Sequence, residues 1–297
     1  MTTSRTSGYR LSGARVLITG AGSGIGRRMA LEAAQRGAEV VVWDLDDAAA
    51  RGTVAAVTAQ GGTARCLAVD VTDRQQVTRA AAETGPVDVV INNAGVVTGA
   101  RLLDASEDSI QRTMDVNVMA LFWVTRAFLA GMITRGRGAV VTVASAAGWT
   151  GVARQTDYSA SKWAAVGFTE SLRHELRADG HPINTLVVCP YYIDTGMFAG
   201  VQTRYPRLLP ILKPDEVARQ VIVALEAGRQ QLVIPPLVRW VPVLRVLPVG
   251  VFDRVLDALG VNQTMDHFTG RAGDLAAGGQ PPAKGGSTST RESGLTG

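Results

Sequence analysis

A glycine-rich turn near the N-terminus is the feature that most constrains the fold of this chain. The short apolar run 14–19 leads directly into the turn 19–26, which reads TGAGSGIG, and a helical pattern follows over 24–36. Apolar runs of this length are typical of buried parallel strands. Glycine permits the tight turn that such a strand needs before a helix can begin. The sequence therefore predicts a strand–turn–helix unit that opens a parallel α/β sheet.

The same alternation of strand and helix continues to about residue 235. Predicted strands cover 14–19, 39–43, 63–69, 87–91, 138–143, 183–188 and 231–234, and predicted helices cover 24–36, 46–60, 73–83, 106–134, 158–177 and 214–226. This spacing indicates βαβ units, whose right-handed crossovers place helices on both faces of a sheet. We predict an α/β, doubly wound Rossmann fold with a parallel seven-stranded sheet, in a single domain over 12–270.

The ends of the chain and its charge exclude several classes of protein. Residues 1–11 are short and polar, so we expect neither a signal peptide nor an N-terminal anchor. Residues 271–297 are rich in Gly, Ser, Thr and Pro and are predicted to be disordered. The net charge is +4, but the basic residues are scattered, so we expect no nucleic-acid partner.

Cysteine and histidine usage points to a reducing compartment without a metal site. The two cysteines, Cys66 and Cys189, are far apart, and the three histidines show no ligand pairing. The pattern predicts a cytoplasmic protein with a buried thiol at Cys189 and no bound metal.

The glycine turn also predicts a dinucleotide site. Gly20, Gly24 and Gly26 are spaced G-x-x-x-G-x-G, and the helix that follows offers a partly positive N-terminus to phosphates. Asp44 ends the second predicted strand, 18 residues after Gly26. An acid at such a position bonds the ribose hydroxyls of NAD and repels the extra phosphate of NADP, so NAD is favoured. The alternative for Asp44, and for Asp70 near the adenine edge, is a helix cap.

Three further residues predict proton transfer. Tyr158 and Lys162 are four residues apart and project from one face of a predicted helix. An ammonium beside a phenol favours the phenolate, which can accept a proton. Ser145 follows the fifth predicted strand, and its hydroxyl can bond a substrate oxygen. Each residue alone has an ordinary structural explanation, but together they indicate hydride and proton exchange between an alcohol and a nicotinamide.

These motifs, in this order, resemble those of the short-chain dehydrogenase/reductase family over about 12–235. The glycine turn, the sequence NNAG at 92–95, Asn117, Ser145 and the Tyr158–Lys162 pair carry the resemblance. Segments 189–198 and 259–268 are similar to the retinol dehydrogenase and 17β-hydroxysteroid dehydrogenase type 11-like branch. The resemblance implies an NAD-dependent enzyme that interconverts a lipophilic primary or secondary alcohol and its carbonyl. An NADPH-dependent carbonyl reductase and a non-catalytic dinucleotide sensor are the alternatives.

The resemblance also implies residue roles. Asn117, Ser145, Tyr158 and Lys162 are expected to be catalytic, with the position of Asn117 holding a water that links Lys162 to solvent. Thr195 is expected at the nicotinamide carboxamide, and Tyr191 stands where the family usually has glycine. The expected cofactor-binding residues are Gly20, Ser23, Gly24, Ile25, Gly26, Asp44, Asp70, Val71, Asn93, Ala94, Gly95, Tyr158, Lys162, Pro190, Ile193 and Thr195.

The C-terminal third predicts the substrate end. Residues 191–213, the expected lid, are apolar and aromatic and suit a lipophilic substrate, although some must simply pack. The apolar extension 232–268 contains the stretch 232–252, whose four prolines and two arginines oppose a membrane-spanning helix. Trp240 beside arginines suits a peripheral membrane contact, and packing against the lid or a partner subunit is the alternative. By resemblance, we expect a homodimer or homotetramer.

Overall fold

The computed structural model describes residues 8–270, and the predicted disordered tail 271–297 lies outside this range. In this range one sheet of parallel strands has the order β3-β2-β1-β4-β5-β6-β7. The strands are β1 (Arg15–Thr19), β2 (Glu39–Asp44), β3 (Thr63–Ala68), β4 (Val89–Asn92), β5 (Gly138–Val143), β6 (Ile183–Pro190) and β7 (Gln231–Ile234). The chain order of the strands runs one way from β1 to β3 and the other way from β4 to β7, as in a doubly wound fold, while all strands stay parallel. The predicted Rossmann fold is therefore confirmed.

Helices cover both faces of the sheet, because alternate residues of each strand point to opposite sides. Val16 and Ile18 pack with residues of α1, α2 and α7, whereas Leu17 packs with residues of α3, α5 and α6. The helices are α1 (Gly24–Gln35), α2 (Asp47–Ala59), α3 (Arg74–Thr84), α4 (Glu107–Met114), α5 (Ala120–Arg135), α6 (Thr156–Ala178), α7 (Pro214–Glu226), α8 (Val241–Leu244) and α9 (Val249–Ala258). Apart from the predicted helix 106–134, the predicted strands and helices up to 234 are present, with small shifts at their ends.

The predicted single helix 106–134 differs from the structure at its centre. Between α4 and α5 the residues Asp115–Met119 form a π-helical turn, which the apolar periodicity did not indicate. By length and hydropathy the helical run 107–135 is capable of crossing a membrane. Val124, Phe128 and Met132 of this run are buried against the sheet, as expected for a core helix.

The stretch 232–252 forms no spanning helix. After β7 it folds into a 3-10 turn (Pro236–Trp240), α8 and the start of α9. Phe252 and Leu256 of α9 are buried with Val261, which begins a second 3-10 turn. This arrangement places the last described residues beside the carboxyl end of β6, where the lid also begins.

Candidate active site

A cavity of about 740 Å³ lies at the carboxyl ends of the central strands, where open parallel sheets bind their ligands. Nearly all sequence-predicted site residues line it, and two do not, Gly26 and Asn117. The predicted residues on its wall are Gly20, Ser23, Gly24, Ile25, Asp44, Asp70, Val71, Asn93, Ala94, Gly95, Ser145, Tyr158, Lys162, Pro190, Ile193 and Thr195.

The glycine turn fits a bound dinucleotide. Gly20 and Gly24 have φ of +63° and +55°, a region that favours glycine. A Cβ on Gly20 would also lie 2.8 Å from the Cα of Ala94, so the turn needs a bare backbone there. The Ser23 side chain makes no cap hydrogen bond to α1. The first turn of α1 borders the cavity, and Ser23 does not cap its backbone N–H groups. This arrangement favours the binding of a phosphate there.

The two carboxylates predicted at the adenosine end both line the cavity, and neither caps a helix. Asp44 accepts hydrogen bonds from the backbone N–H of Gly22 at 2.7 Å and of Asp46 at 3.0 Å. Asp46 is the N-cap of α2, so the alternative role proposed for Asp44 belongs to its neighbour. Asp70 accepts from the backbone and hydroxyl of Thr72, and the cap of α3 is Asp73.

Asn93 and Gly26 explain how the turn is held. Asn93 Nδ2 donates to the carbonyls of Thr19 and Gly20 at 2.9 and 3.0 Å. A Cβ on Gly26 would collide with the Gly20 carbonyl and lie 2.5 Å from Asn93 Nδ2. Gly26, expected among the cofactor-binding residues, therefore lies behind the cavity wall and lets the turn close against β4.

Ser145, Tyr158 and Lys162 meet at the base of the cavity. Tyr158 and Lys162 lie one turn apart on α6, and each side chain is about 5% exposed. Ser145 lies close enough to Tyr158 for its side chain to lower the pKa of the Tyr158 hydroxyl, and Ser145 Oγ accepts a hydrogen bond from the Ala147 N–H at 3.1 Å. Lys162 Nζ donates to the Val143 carbonyl at 3.0 Å and lies 5.5 Å from the centre of the Tyr158 ring. The predicted trio is thus assembled from β5 and α6.

Comparison with known proteins agrees with this geometry. The family described as short chain dehydrogenase matches residues 14–206, well over half of the chain. The chain belongs to the short-chain dehydrogenase family. Epidermal retinol dehydrogenase 2 of Mus musculus is 40% identical over 269 residues, which cover 88% of this chain and 87% of the relative. The dehydrogenase is therefore an oxidoreductase, and its predicted resemblance to the retinol dehydrogenase branch is confirmed.

Solved structures share the fold and differ in their dinucleotide. A short-chain dehydrogenase/reductase from Burkholderia phymatum, solved with NAD, has a TM-score of 0.74 and 28% identity, covering 82% of this chain and 96% of that one. A metagenomic short-chain oxidoreductase, solved with NADP, has a TM-score of 0.64 and 29% identity, covering 76% of this chain and 98% of that one. The fold of the dehydrogenase is thus compatible with either dinucleotide.

Burial dominates the electrostatics of the trio in the dehydrogenase. It raises the pKa of Tyr158 well above its usual value, and the Ser145 side chain only partly opposes this rise. Burial also lowers the pKa of Lys162 to about 8, so Lys162 remains largely charged at neutral pH. The cavity as described therefore holds a neutral phenol near an ammonium.

Asn117 is buried in the π-helical turn and does not reach the cavity. Its Oδ1 accepts from the Val96 N–H at 2.9 Å, and its Nδ2 donates to the Val96 carbonyl and to Ser161 Oγ, each at 3.0 Å. The side chain therefore ties the loop after β4 to α6. A Cβ on Gly95 would lie 3.3 Å from Asn117 Oδ1 and 3.6 Å from Lys162 Nζ. The role of Asn117 in a proton exit stays a prediction.

The substrate end of the dehydrogenase is aromatic. Phe198 packs edge-on against Tyr158 with ring centres 5.7 Å apart, and against Tyr192 at 5.1 Å. Tyr191, at the position where the family usually has glycine, packs against Tyr192 at 4.7 Å. These rings form an apolar wall that includes the Tyr158 ring.

Sequence reasoning missed several residues on this wall. Gln155 lies three residues before Tyr158, and that helical spacing was a usable signal. Val261 comes from far along the chain, and no local pattern placed it at the cavity. The lining residues that the sequence did not single out for the site include Val96, Arg112, Val116, Thr150, Val152, Gln155 and Val261.

Proposed function

We propose that this dehydrogenase interconverts a lipophilic primary or secondary alcohol and its carbonyl with NAD. The observation that carries the proposal is the meeting of Ser145, Tyr158 and Lys162 in one cavity. The glycine turn, Asp44 and the aromatic side chains of the lid line the same cavity. This is the arrangement that hydride exchange between a dinucleotide and an apolar alcohol requires.

NAD is proposed over NADP because of Asp44. Its carboxylate lies on the cavity wall next to the glycine turn, where a ribose phosphate would meet a negative charge. Neither Ser23 nor Leu45, the neighbouring residues on that wall, offers a positive charge. The similar solved structures include one with NAD and one with NADP, so they do not decide which dinucleotide this enzyme uses. The negative charge of Asp44 is what supports NAD.

In the proposed reaction the chain's residues handle the proton and the charge on the substrate oxygen. The bound nicotinamide supplies the hydride acceptor or donor. Tyr158 exchanges its hydroxyl proton with the substrate oxygen, and Ser145 stabilises charge on that oxygen by hydrogen bonding. Lys162 contributes a positive charge within the buried site, because its ammonium persists to about pH 8. Positive charge at this place favours the phenolate that alcohol oxidation needs.

The lipophilic substrate class is supported by the wall and by a relative. Tyr191, Tyr192, Met197 and Phe198 line the cavity beyond the reactive hydroxyl. The relative from Mus musculus is named a retinol dehydrogenase. A carbonyl reductase that uses NADPH is the second candidate, and Asp44 argues against it.

Steady-state kinetics tests this proposal. Purified enzyme is mixed with NAD or NADP and with all-trans-retinol, a hydroxysteroid, a long-chain primary alcohol or ethanol, and the reduced nicotinamide is followed spectroscopically. The proposal predicts the highest kcat/KM with NAD and one of the apolar alcohols. Preference for NADP, or for ethanol over every apolar alcohol, would contradict it.

We also propose that this enzyme is cytoplasmic and that it contacts anionic membranes through the stretch 232–252. Trp240, Val246 and Val249 are 61%, 83% and 75% exposed, and Arg239 lies among them. Arg245 is also exposed, and its guanidinium lies over the Trp163 ring at 4.7 Å. Co-sedimentation with phosphatidylserine vesicles should be lost in a Trp240→Ser variant. Wild-type protein that stays in the supernatant would contradict the contact.

Assembly into a homodimer or homotetramer is proposed through the outer faces of α5 and α6. Phe122 and Trp163 on these faces are 40% and 41% exposed. Exposed aromatic residues on neighbouring helices are a common feature of subunit interfaces. Sedimentation velocity at several protein concentrations should give a dimer or tetramer, and a monomer throughout would contradict this.

A further inference from the structure

The last described residues lie across the substrate end of the cavity. We define residues 261–269, which follow α9, as the C-terminal strap. The Gln202 N–H donates to the Thr264 carbonyl at 3.2 Å, and the Thr269 N–H donates to the Ala199 carbonyl at 2.9 Å. The strap is therefore paired by backbone hydrogen bonds to the lid.

Two glycines provide the seat for the strap. A Cβ on Gly200 would collide with the carbonyl of His267, and a Cβ on Gly99 would collide with the ring of Phe268. Gly200 belongs to the lid, whereas Gly99 belongs to the loop after β4. Both glycines have positive φ, at +84° and +70°. The strap is thus closely fitted to both the lid and the loop after β4.

Side chains fix the strap to residues around the reactive tyrosine. The Tyr192 hydroxyl lies 2.8 Å from Thr264 Oγ1, which itself donates to the Val261 carbonyl at 2.8 Å. Gln155 Nε2 donates to Met265 Sδ at 3.0 Å. The Tyr192 hydroxyl is therefore occupied by the strap, and the Tyr192 ring is left to pack against Phe198.

Val261 is the strap residue that lines the cavity. It is 7% exposed and packs in one buried cluster with partly buried Tyr191 and Val152. Val261 shares the cavity lining with Ser145, Tyr158, Tyr192 and Phe198. The apolar body of a substrate whose oxygen is bound at Ser145 and Tyr158 can therefore contact Val261.

We propose that the C-terminal strap limits the length of the apolar substrate. In this inference, which rests on the proposed function, Val261 is a specificity-determining residue that meets the far end of the substrate. Thr264 is a positioning residue that acts through Tyr192. A bulkier residue at 261 should exclude long alcohols, and loss of the hydrogen bond to Tyr192 should loosen the wall.

The first test compares hexan-1-ol with dodecan-1-ol. Val261→Phe should reduce kcat/KM for dodecan-1-ol at least about tenfold relative to hexan-1-ol, as size mismatches in apolar pockets do. Val261→Ala should shift the ratio the other way. The matched control is Val223→Phe on α7, where the valine is 45% exposed and does not line the cavity. An unchanged ratio in both Val261 variants would overturn the inference.

The second test uses Thr264→Val, which keeps the side-chain shape and removes the hydroxyl. The variant should raise KM for dodecan-1-ol while leaving kcat for hexan-1-ol unchanged. Tyr192→Phe should also raise KM for dodecan-1-ol, and the double variant should raise it by less than the two single effects combined, because both variants remove the Tyr192–Thr264 hydrogen bond. Each variant also removes one further hydrogen bond, from Thr264 to the Val261 carbonyl or from Gln155 to Tyr192. Thr134→Val is the control, since that exposed hydroxyl donates to a carbonyl in its own helix. Fully additive effects would overturn the role of Thr264.

Failure of the inference and failure of the proposed function are distinguishable. The same variants are measured by equilibrium binding of both alcohols to enzyme saturated with NADH. If the alcohols bind with the expected length dependence but are not oxidised, the strap inference holds and the proposed function fails. If both alcohols are oxidised with no length dependence on residue 261, the proposed function holds and the strap inference fails.

Discussion

Lys162 Nζ lies 5.5 Å from the centre of the Tyr158 ring, and it donates a hydrogen bond to the Val143 carbonyl at 3.0 Å. Lys162 therefore influences Tyr158 through its charge at a distance within a buried site. Lys162 can influence Tyr158 in this way only while its ammonium is protonated, and burial lowers the pKa of Lys162 to about 8. The protonation state of Lys162 is therefore expected to affect both the unfolding free energy of the protein and the proposed reaction at Tyr158.

Replacing Lys162 by methionine should abolish turnover and stabilise the dinucleotide-free protein at neutral pH. The shift of the Lys162 pKa from 10.5 to about 8 corresponds to about 3 kcal/mol of unfavourable burial of the charge. Loss of the hydrogen bond to Val143 offsets about 1 kcal/mol. We expect a net gain of about 2 kcal/mol, measured by urea unfolding at pH 7.

The gain should depend on pH in a defined direction. Because the folded-state pKa is depressed, the unfolded chain holds the Lys162 proton more tightly between about pH 8 and 10.5. The cost of the buried ammonium is full below pH 8 and disappears toward pH 10.5, so the advantage of Lys162→Met should shrink over that window. Exposed Lys213→Met is the control and should show no such trend. A constant difference from pH 7 to 10.5 would refute the burial argument.

Asp44→Asn should raise the preference for NADP. The asparagine keeps an oxygen for the Gly22 N–H and removes the charge that opposes a ribose phosphate. We expect the ratio of kcat/KM with NADP to that with NAD to rise about tenfold or more, since an unfavourable charge contact is worth on the order of 1 kcal/mol or more near a protein surface. Asp46→Asn is the control, because asparagine caps α2 as well as aspartate does. An equal rise of the NADP-to-NAD ratio in both variants would show that the cofactor preference does not arise from Asp44.

Gly20→Ala should weaken both the fold and dinucleotide binding. The position has φ of +63°, and the added Cβ would lie 2.8 Å from the Cα of Ala94. We expect a loss of about 1–3 kcal/mol in unfolding free energy and a higher Kd for NAD. Gly52→Ala is the control in α2, where no atom lies within 4 Å of the added Cβ. Helix propensity predicts that this control gains up to about 1 kcal/mol. Equal NAD affinity in both variants would contradict the proposed role of the glycine turn in binding NAD.

The sequence predicted the sheet and most of the cavity because those signals are local. Apolar runs gave the strands, and the spacing of Tyr158 and Lys162 on a helix follows from helical geometry alone. The π-helical turn at Asn117 was missed because it inserts no residue type that breaks a helical pattern. Val261 was missed because its place depends on tertiary packing of α9 and on the seats at Gly99 and Gly200.

The most direct test of the account is the Tyr158→Phe variant, since Tyr158 is proposed to carry the proton. The ring should keep its contacts with Phe198, and the glycine turn is untouched, so NAD should bind with an unchanged Kd by calorimetry. Turnover of the best apolar alcohol should fall by at least about a thousandfold, the scale at which general acid–base catalysis contributes. Loss of turnover with NAD affinity retained is the predicted result. Turnover near the wild-type rate in Tyr158→Phe would contradict the central claim.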